Sequence, residues 1–385
     1  MNKRAQRITM SEMEGYCVNL PQGTIPFTSG APGLDAMPLA MLEEQISHVL
    51  REERFAFGYG DQAGDELLRE TLSHYATKLG FASDLPLEQI VVTNGGIGAA
   101  SIVASLTLEE GDVVACEDPS YPEVMDTFRK EGARLVPLAM DSEGVLPEAL
   151  REAARKEKIK LVYLIPHFQN PSGARLSLER RMQIAQIARE EDLTILEDDP
   201  YRELWYTTPP EPSLASLAPE RVLFTGSFSK TFAPGLRTGW LMGPAPLMEK
   251  AAALQGLTSL GAPWFVSRAL ARLWVDEAYQ DHLQATRADL AYRAGLVAQA
   301  LEGVEGVEFR EPTGGMFLWL KVAGGRDTRD LVRHLRTLGV AALPGYLFSP
   351  TGESCTDGLR LTYARQSLED LQEGLRRLRE GLLSW

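Results

Sequence analysis

The chain has 385 residues, 44% of them hydrophobic and 24% charged, with a formal net charge of −14 at pH 7. This length predicts two domains, and the composition is typical of a globular protein. The acidic balance disfavours nucleic-acid binding, since such a surface repels phosphate backbones, and no apolar run is long enough to span a membrane.

In chain order, the first prediction is an extended arm at residues 1–38, which are rich in Gly and Pro. Helical spacing of apolar residues then predicts helices at 39–50 and 64–79. From residue 90 onward short apolar strands alternate with helices: strands at 90–93, 113–116, 161–165, 193–196, 221–225 and 239–242, and helices at 97–107, 122–131 and 177–190. This pattern predicts an α/β fold with a mostly parallel sheet flanked by helices, and ligands at the carboxyl ends of its strands.

The pattern changes after a long helical stretch predicted at 264–303. Strands at 307–310, 316–320 and 358–363 are mixed with helices at 327–338 and 366–382, as expected for a smaller α+β domain. The predicted division has three parts. They are an arm at 1–38 that joins the small domain and closes the site, a large ligand-binding domain at 39–275, and a small domain at 276–385.

Cysteine and histidine usage adds two expectations. The three cysteines are odd in number and far apart, which favours a reducing cytoplasm and argues against a disulfide framework. None of the five histidines pairs at metal-ligand spacing, so no metal site is predicted. The basic N-terminus is not followed by an apolar segment, so no secretory signal is expected.

Lys230 is the first candidate functional residue. It follows the apolar residues 221–224, and Ser227, Ser229 and Arg237 surround it in sequence. An amine at a strand end can condense with an aldehyde, and hydroxyls with a guanidinium can hold a phosphate. A lone lysine in such a loop is more often a solvated surface residue, so the interpretation depends on the other motifs.

Two further clusters follow predicted strands. Gly95, Gly96 and Ile97 precede a helix, where backbone N–H groups can approach an anion; the alternative is a plain turn. Tyr121 stands between two prolines and could lie flat on a planar ligand, although packing is the commoner role of such a ring.

Three more polar residues complete the set. The amide of Asn170, before Pro171, could donate to a ring oxygen, or the segment could be a simple turn. Asp198 emerges from a buried strand and needs a cation such as a protonated ring nitrogen, unless it caps a helix. Arg360 lies in an apolar strand, and its fork matches a carboxylate, either of a ligand or of an internal salt bridge.

Taken in this order, the motifs resemble the fold-type I aminotransferases that depend on pyridoxal 5'-phosphate. The resemblance covers about residues 25–380. It is closest to the branch that contains 2-aminoadipate and kynurenine aminotransferases and the aminotransferase-like domain of MocR-type regulators.

The resemblance implies a role for each matching residue. Ser227-Phe228-Ser229-Lys230 matches the motif whose lysine binds the cofactor as a Schiff base and is the catalytic base. The matches to phosphate-binding positions are Ser227, Ser229, Arg237 and the backbone of Gly95, Gly96 and Ile97. Tyr121 matches the stacking aromatic residue, Asp198 the acid that pairs with the pyridine nitrogen, and Asn170 and Tyr201 the partners of the phenolic oxygen.

The resemblance also implies a substrate site and a dimer. Arg360 matches the arginine that binds the substrate α-carboxylate, next to Asn170, and Gly30 matches a segment that closes over it. Tyr59 resembles a tyrosine that reaches the phosphate in the neighbouring subunit, which implies a homodimer with shared active sites.

Two features depart from the branch. Gly95-Gly96-Ile97-Gly98-Ala99 stands where Gly-Ser-Gln-Gln-Ala is frequent, so a hydroxyl and an amide are absent from the phosphate loop. His167 stands where the family varies and is not predicted to be catalytic.

The implied activity is transfer of the amino group of an α-amino acid to a 2-oxo acid, with 2-oxoglutarate as the expected acceptor. A β-eliminating lyase is the enzymatic alternative. The ligand-sensing domain of a regulator is the other, disfavoured by the acidic charge and by the 25 or so residues that precede the resemblance. An apolar or aromatic substrate side chain is expected because no second arginine is evident; Ile97, Trp205, Tyr206 and residues near Gly30 are candidates for its pocket.

Overall fold

The computed structural model describes residues 2–385 and contains both strands and helices in alternation. The strands are β1 Ile25–Pro26, β2 Ile90–Thr93, β3 Val113–Asp118, β4 Arg134–Asp141, β5 Gly144–Val145, β6 Ile159–Leu164, β7 Ile195–Asp198, β8 Val222–Ser227, β9 Gly239–Met242, β10 Val307–Phe309, β11 Phe317–Val322, β12 Val340–Ala341, β13 Leu343–Pro344 and β14 Gly358–Thr362. The helices are α1 Lys3–Gln6, α2 Glu14–Cys17, α3 Leu39–Glu52, α4 Glu66–Lys78, α5 Gly95–Thr107, α6 Pro122–Glu131, α7 Pro147–Lys156, α8 Leu178–Glu190, α9 Leu214–Leu217, α10 Ala245–Ser259, α11 Trp264–Trp274, α12 Glu277–Leu301, α13 Thr328–Thr337 and α14 Leu368–Ser384.

The larger sheet has the strand order β2-β9-β8-β7-β6-β3-β4-β5. Neighbours from β8 through β7, β6 and β3 to β4 are parallel, whereas β9 runs antiparallel to both β8 and β2. Consecutive strand residues enter different hydrophobic clusters: Leu161 and Tyr163 pack on one face, and Val162 and Leu164 on the other. Both faces are therefore covered, and the predicted α/β class with a mostly parallel sheet is confirmed.

The smaller sheet is antiparallel, with the order β10-β11-β14-β13. The arm lies beside it: β1 pairs in parallel with β12 in a separate two-stranded sheet, and the Phe27 N–H donates to the Ala341 carbonyl at 2.7 Å. The Phe27 carbonyl in turn accepts from the N–H of Thr362 at 3.0 Å, at the end of β14. These bonds hold residues 28–31 over the end of β14 and so place them at the site described below.

The structure differs from the prediction at several points. The arm expected to be extended over residues 1–38 carries the short helices α1 and α2. The single helix expected at 264–303 is two helices, α11 and α12, because the Asp276 side chain accepts from the N–H of Ala278 and starts a new helix there. Strand β7 begins at Ile195 rather than at residue 193, so Asp198 is its last residue and does not follow it.

Two features are absent from residues 2–385. No helix in that range combines the length and the hydropathy that a bilayer crossing requires. No group of three or more His, Cys, Asp or Glu side chains in the same range is arranged to hold a metal ion.

Candidate active site

The carboxyl ends of β2, β3, β6, β7 and β8 lie at one edge of the large sheet, because these strands run in the same direction. Polar residues from the loops at this edge converge. The antiparallel strand β9 begins at the same edge, since Gly239 pairs with both Thr93 and Ser227. Arg237, just before β9, is therefore brought next to the end of β8.

Lys230 lies in the loop after β8. Its Nζ donates a hydrogen bond to the carbonyl of Gly30 at 2.7 Å and lies 5.8 Å from the ring centroid of Tyr201. Burial lowers the pKa of the Lys230 amine from its usual 10.5 to about 8, against an opposing effect of the Glu123 carboxylate. A neutral amine, the nucleophilic form, is therefore accessible near neutral pH.

Asp198 is buried at the end of β7, where its Oδ2 accepts a hydrogen bond from the Tyr163 hydroxyl at 2.7 Å. Burial raises the pKa of the Asp198 carboxyl to about 6, and the bond from Tyr163 counteracts this shift. No ion pair is formed by Asp198 within residues 2–385. A buried acid of this kind is stabilised by an incoming cation.

An anion site adjoins Asp198. The hydroxyls of Ser227 and Ser229 lie 2.8 Å apart, and the N-terminus of α5 begins at Gly95. A Cβ on Gly95 would lie 2.8 Å from Nη2 of Arg237, and the φ of +74° also requires glycine there. A Cβ on Gly96 would lie 3.9 Å from both Asp198 Oδ1 and Ser227 Cβ. The backbone of Gly96 is therefore close to both the Asp198 carboxylate and the serine hydroxyls.

Arg360 is buried in β14. Its Nη1 donates to Asn170 Oδ1 at 3.0 Å and its Nη2 to the Thr28 carbonyl, while its Nε has no partner within residues 2–385. The guanidinium lies 4.8 Å from the ring centroid of Phe317. Burial lowers the pKa of Arg360, so this cation gains from an anionic partner.

Lys230 and Arg360 line one cavity of about 440 Å³, whose wall does not include Asp198, Ser227, Ser229, Arg237 or the start of α5. Its wall contains five residues selected from the sequence, namely Gly30, Tyr121, Asn170, Tyr201 and Arg360, together with Lys230. An amine, a guanidinium and two phenols thus face a common space. This arrangement suits a small anionic molecule that carries a reactive nitrogen.

Other sequence candidates lie outside this cavity. Tyr59 is 89% exposed on the surface. Trp205 packs against the guanidinium of Arg287, and the Tyr206 hydroxyl bonds to the Gly315 carbonyl, so neither lines the cavity, contrary to expectation. His167 is buried and bonds to Asp199 at 2.8 Å, away from the cavity wall.

Sequence reasoning missed four contributors: Tyr163, Thr28, Glu123 and Arg365. Tyr163 was interpreted only as part of an apolar strand. Glu123 and Arg365 enter the cavity wall through the fold of α6 and of the segment after β14, and no local motif marks them. Arg365, which the sequence did not indicate, is also a second arginine in the cavity wall, in addition to Arg360.

The donor set fits pyridoxal 5'-phosphate. Ser227, Ser229, Arg237 and the start of α5 suit its phosphate, and the carboxyl of Asp198 suits its pyridine nitrogen. Fold and site together define a fold-type I transferase that uses pyridoxal 5'-phosphate.

Comparisons with known proteins give the family. Residues 17–378 match the family Aminotransferase class I and II. The chain therefore belongs to this family of enzymes, and it catalyses the transfer of amino groups.

Relatives with the same overall fold carry several names. A 2-aminoadipate transaminase of Thermus thermophilus is 32% identical over 368 residues, which cover 94% of this chain and 90% of that protein. An uncharacterized HTH-type transcriptional regulator of Bacillus subtilis, YdfD, is 32% identical over 97% of this chain and 75% of its own length. The crystal structure of Pyrococcus horikoshii kynurenine aminotransferase superimposes with a TM-score of 0.94 at 28% identity, and covers 100% of this chain and 97% of that one.

Proposed function

We propose that this aminotransferase takes the amino group of an α-amino acid and passes it to 2-oxoglutarate, with Lys230 as the residue that binds the cofactor as a Schiff base. The observation that carries the proposal is the common cavity of Lys230, Arg360, Asn170 and Tyr201 beside Asp198. Pyridoxal phosphate supplies an electron sink for the carbanion formed at the substrate α-carbon.

The residues of the chain divide the remaining work. Arg360 binds the α-carboxylate through its free Nε and the fork that now contacts Asn170. Lys230, whose pKa is lowered to about 8, accepts the α-proton at its Nζ as a neutral amine. It would then deliver this proton to the cofactor carbon that has received the amino group. With the cofactor bound, Asp198 would pair with the protonated pyridine nitrogen, Tyr121 would stack on the ring, and Asn170 and Tyr201 would hydrogen-bond the phenolic oxygen.

Support for 2-oxoglutarate comes from Arg365. This side chain lines the same cavity as Arg360 but on its exposed side. A dicarboxylate held by Arg360 at one end has a second cation within the same space for its other end. The similarity to a 2-aminoadipate transaminase, whose name denotes a dicarboxylic amino acid, agrees with such a site.

One experiment separates transamination from the lyase alternative. The pure holoenzyme is mixed with a single amino acid without any oxo acid. Transamination converts one equivalent of cofactor to its amino form and then stops, whereas a lyase releases ammonia and a 2-oxo acid continuously. Adding 2-oxoglutarate should regenerate the starting absorbance.

The match to YdfD favours a second candidate, a ligand-sensing role in a regulator. A gel-shift assay with promoter DNA tests it, and sequence-specific retention would support it. The acidic net charge of −14 opposes this role.

Assembly, organisation and location extend the proposal. A homodimer with shared sites is supported by the exposed Tyr59, which is free to reach a neighbouring subunit.

The proposed domains are residues 1–38, 39–275 and 276–385. The eight-stranded sheet lies before residue 275 and the four-stranded sheet after it, which supports a boundary there. A reducing cytoplasmic location agrees with the three free thiols.

A further inference from the structure

Glu123 is a buried acid in the substrate cavity that the mechanism above does not use. It lies in the first turn of α6, directly after Pro122, and lines the cavity with Tyr121, Lys230 and Arg360. Its Oε2 is buried and has no hydrogen-bond partner within residues 2–385. Leaving a carboxylate oxygen buried and unpaired is costly, so such an atom in a binding cavity points to a ligand.

The nearby cations are already engaged. Lys230 donates to the Gly30 carbonyl, and two nitrogens of Arg360 donate to Asn170 and Thr28. Both cations are close enough to lower the pKa of Glu123, yet neither forms a hydrogen bond or an ion pair with it. Burial is the larger effect and raises the pKa of the Glu123 carboxyl, so its charged form gains most from a new donor.

The position of Glu123 relative to Lys230 and Arg360 indicates which part of a substrate reaches it. The α-amino group must lie at Lys230 and the α-carboxylate at Arg360. The side chain then occupies the rest of the cavity, whose wall includes the apolar residues Met13, Leu20 and Pro26. Polar residues such as Cys17, Ser29 and Arg365 share this wall, and the Oε2 of Glu123 is a buried acceptor there without a partner.

We propose that Glu123 determines substrate specificity by accepting a hydrogen bond from the side chain of the amino-acid donor. The preferred substrates carry an alcohol, amide or amine on that side chain and are selected over apolar isosteres. The inference rests on the proposed transamination. It replaces the preference for apolar substrate side chains that the sequence predicts. Arg365 remains the proposed partner of the second carboxylate of 2-oxoglutarate.

The test compares isosteric pairs of amino acids in the half-reaction of the holoenzyme. The pairs are homoserine with norvaline, tyrosine with 4-methylphenylalanine, and ornithine with norleucine. Conversion of the cofactor to its amino form is followed by absorbance, and the readout is the ratio of rate constants within a pair. For at least one pair the wild-type protein should favour the donor-bearing member by about tenfold or more.

Two variants and a control assign the effect. Glu123→Ala should bring that ratio to about one. Glu123→Gln keeps an acceptor of the same size, so it should retain part of the preference for alcohols while losing that for the ammonium of ornithine. Glu148→Gln removes a carboxylate at the matching position of α7, directly after Pro147 and outside the cavity wall, and should leave the ratios unchanged.

Binding without chemistry provides an independent readout. Calorimetry with 4-hydroxybutyrate and pentanoate, which lack the amine, should show tighter binding of the hydroxy acid to the wild type and no difference with Glu123→Ala. Ratios near one in the wild type that Glu123→Ala does not alter, together with equal binding of the two acids, would overturn the inference and leave transamination intact. If no amino acid converts the cofactor, the proposed function fails, and the calorimetric comparison still decides the role of Glu123.

Discussion

The ε-amine of Lys230 donates a hydrogen bond to the backbone carbonyl of Gly30 at 2.7 Å, across 200 positions of sequence. This contact joins the loop after β8 to the N-terminal arm. Because Thr28, two residues earlier, accepts from Arg360, the arm contacts both the proposed nucleophile and the proposed carboxylate-binding residue. The active site therefore depends on the arm as well as on the sheet edge.

Replacing Lys230 by Ala should abolish turnover, because no other amine lines the cavity within residues 2–385. We expect at least a 10³-fold loss in kcat, as for removal of a residue that acts as nucleophile and base. Borohydride reduction followed by mass spectrometry should find the cofactor adduct on Lys230 in the wild type and none in the variant. Lys250→Ala, on helix α10, is the control; substantial transamination by Lys230→Ala would show the role to be misassigned.

The pH dependence of cofactor attachment follows from the pKa of Lys230. Burial lowers this pKa to about 8, so the fraction of neutral amine rises with pH and reaches one half near 8 instead of 10.5. The rate at which the apoprotein binds pyridoxal phosphate covalently should rise between pH 6 and 8 and level off above that. The Glu123 carboxylate opposes the shift, so Glu123→Gln should move the midpoint to lower pH. A midpoint near 10 in stopped-flow measurements would contradict the cause assigned to burial.

Arg360→Lys should weaken substrate binding although the positive charge is kept. The lysine ammonium cannot reproduce the fork that contacts Asn170 and Thr28 and leaves Nε free for a carboxylate. We expect kcat/KM for amino acids to fall about 100-fold or more. Cofactor affinity should change little, and a parallel loss of cofactor would indicate instead that the variant disturbs the fold around β14.

How far the sequence could be interpreted differs between the elements. Strands β2, β3, β6 and β8 were predicted because both faces are buried and their sequences are continuously apolar. Strand β4, near a sheet edge, was missed because only Leu135 and Leu138 of its residues are buried, which leaves no apolar run. Helix α10 was missed because its apolar residues do not gather on one side.

The residues of the site also differ in whether the sequence indicated them. Lys230, Asp198 and Arg360 stand in motifs that a family shares, so the sequence indicated them. Glu123 depends on tertiary packing: the arm brings Met13 and Cys17 over the same cavity, and that cover cannot be inferred from the segment around residue 123. The sequence alone does not show which distant segments come into contact, so Glu123 was not identified from it.

An exposed apolar patch predicts the interface of the proposed dimer. Phe55, Phe57, Tyr59, Leu257 and Leu260 are each more than half exposed, and the Phe55 ring lies 6.0 Å from that of Trp264, which places the two segments side by side. Leu257→Asp should convert a dimer into monomers in sedimentation velocity, since it puts a charge into this patch. Leu383→Asp, at the other exposed end of the chain, should remain dimeric.

Tyr59 is the proposed link between that interface and the cofactor. Tyr59→Phe should stay dimeric but release pyridoxal phosphate about tenfold more readily, since one hydrogen bond to a charged group is lost. Equilibrium dialysis of the dimeric variant measures this effect. Unchanged affinity would remove Tyr59 from the phosphate site and leave the dimer in place.

The Tyr163–Asp198 hydrogen bond predicts a shift in a pH profile. Pairing with the pyridine nitrogen requires the Asp198 carboxylate, whose pKa of about 6 lies above its usual 3.8 because of burial. Cofactor affinity should therefore be full above this pKa and fall as the pH drops through 6. The bond from Tyr163 favours the charged form, so Tyr163→Phe should raise the pKa further and move the fall to higher pH. Pyridoxamine phosphate is the probe of choice because it binds without using Lys230. Fluorescence titrations from pH 5 to 8 should show the shifted midpoint in Tyr163→Phe and no such transition in Asp198→Asn; equal midpoints in the wild type and Tyr163→Phe would mean that the phenol only packs against the acid.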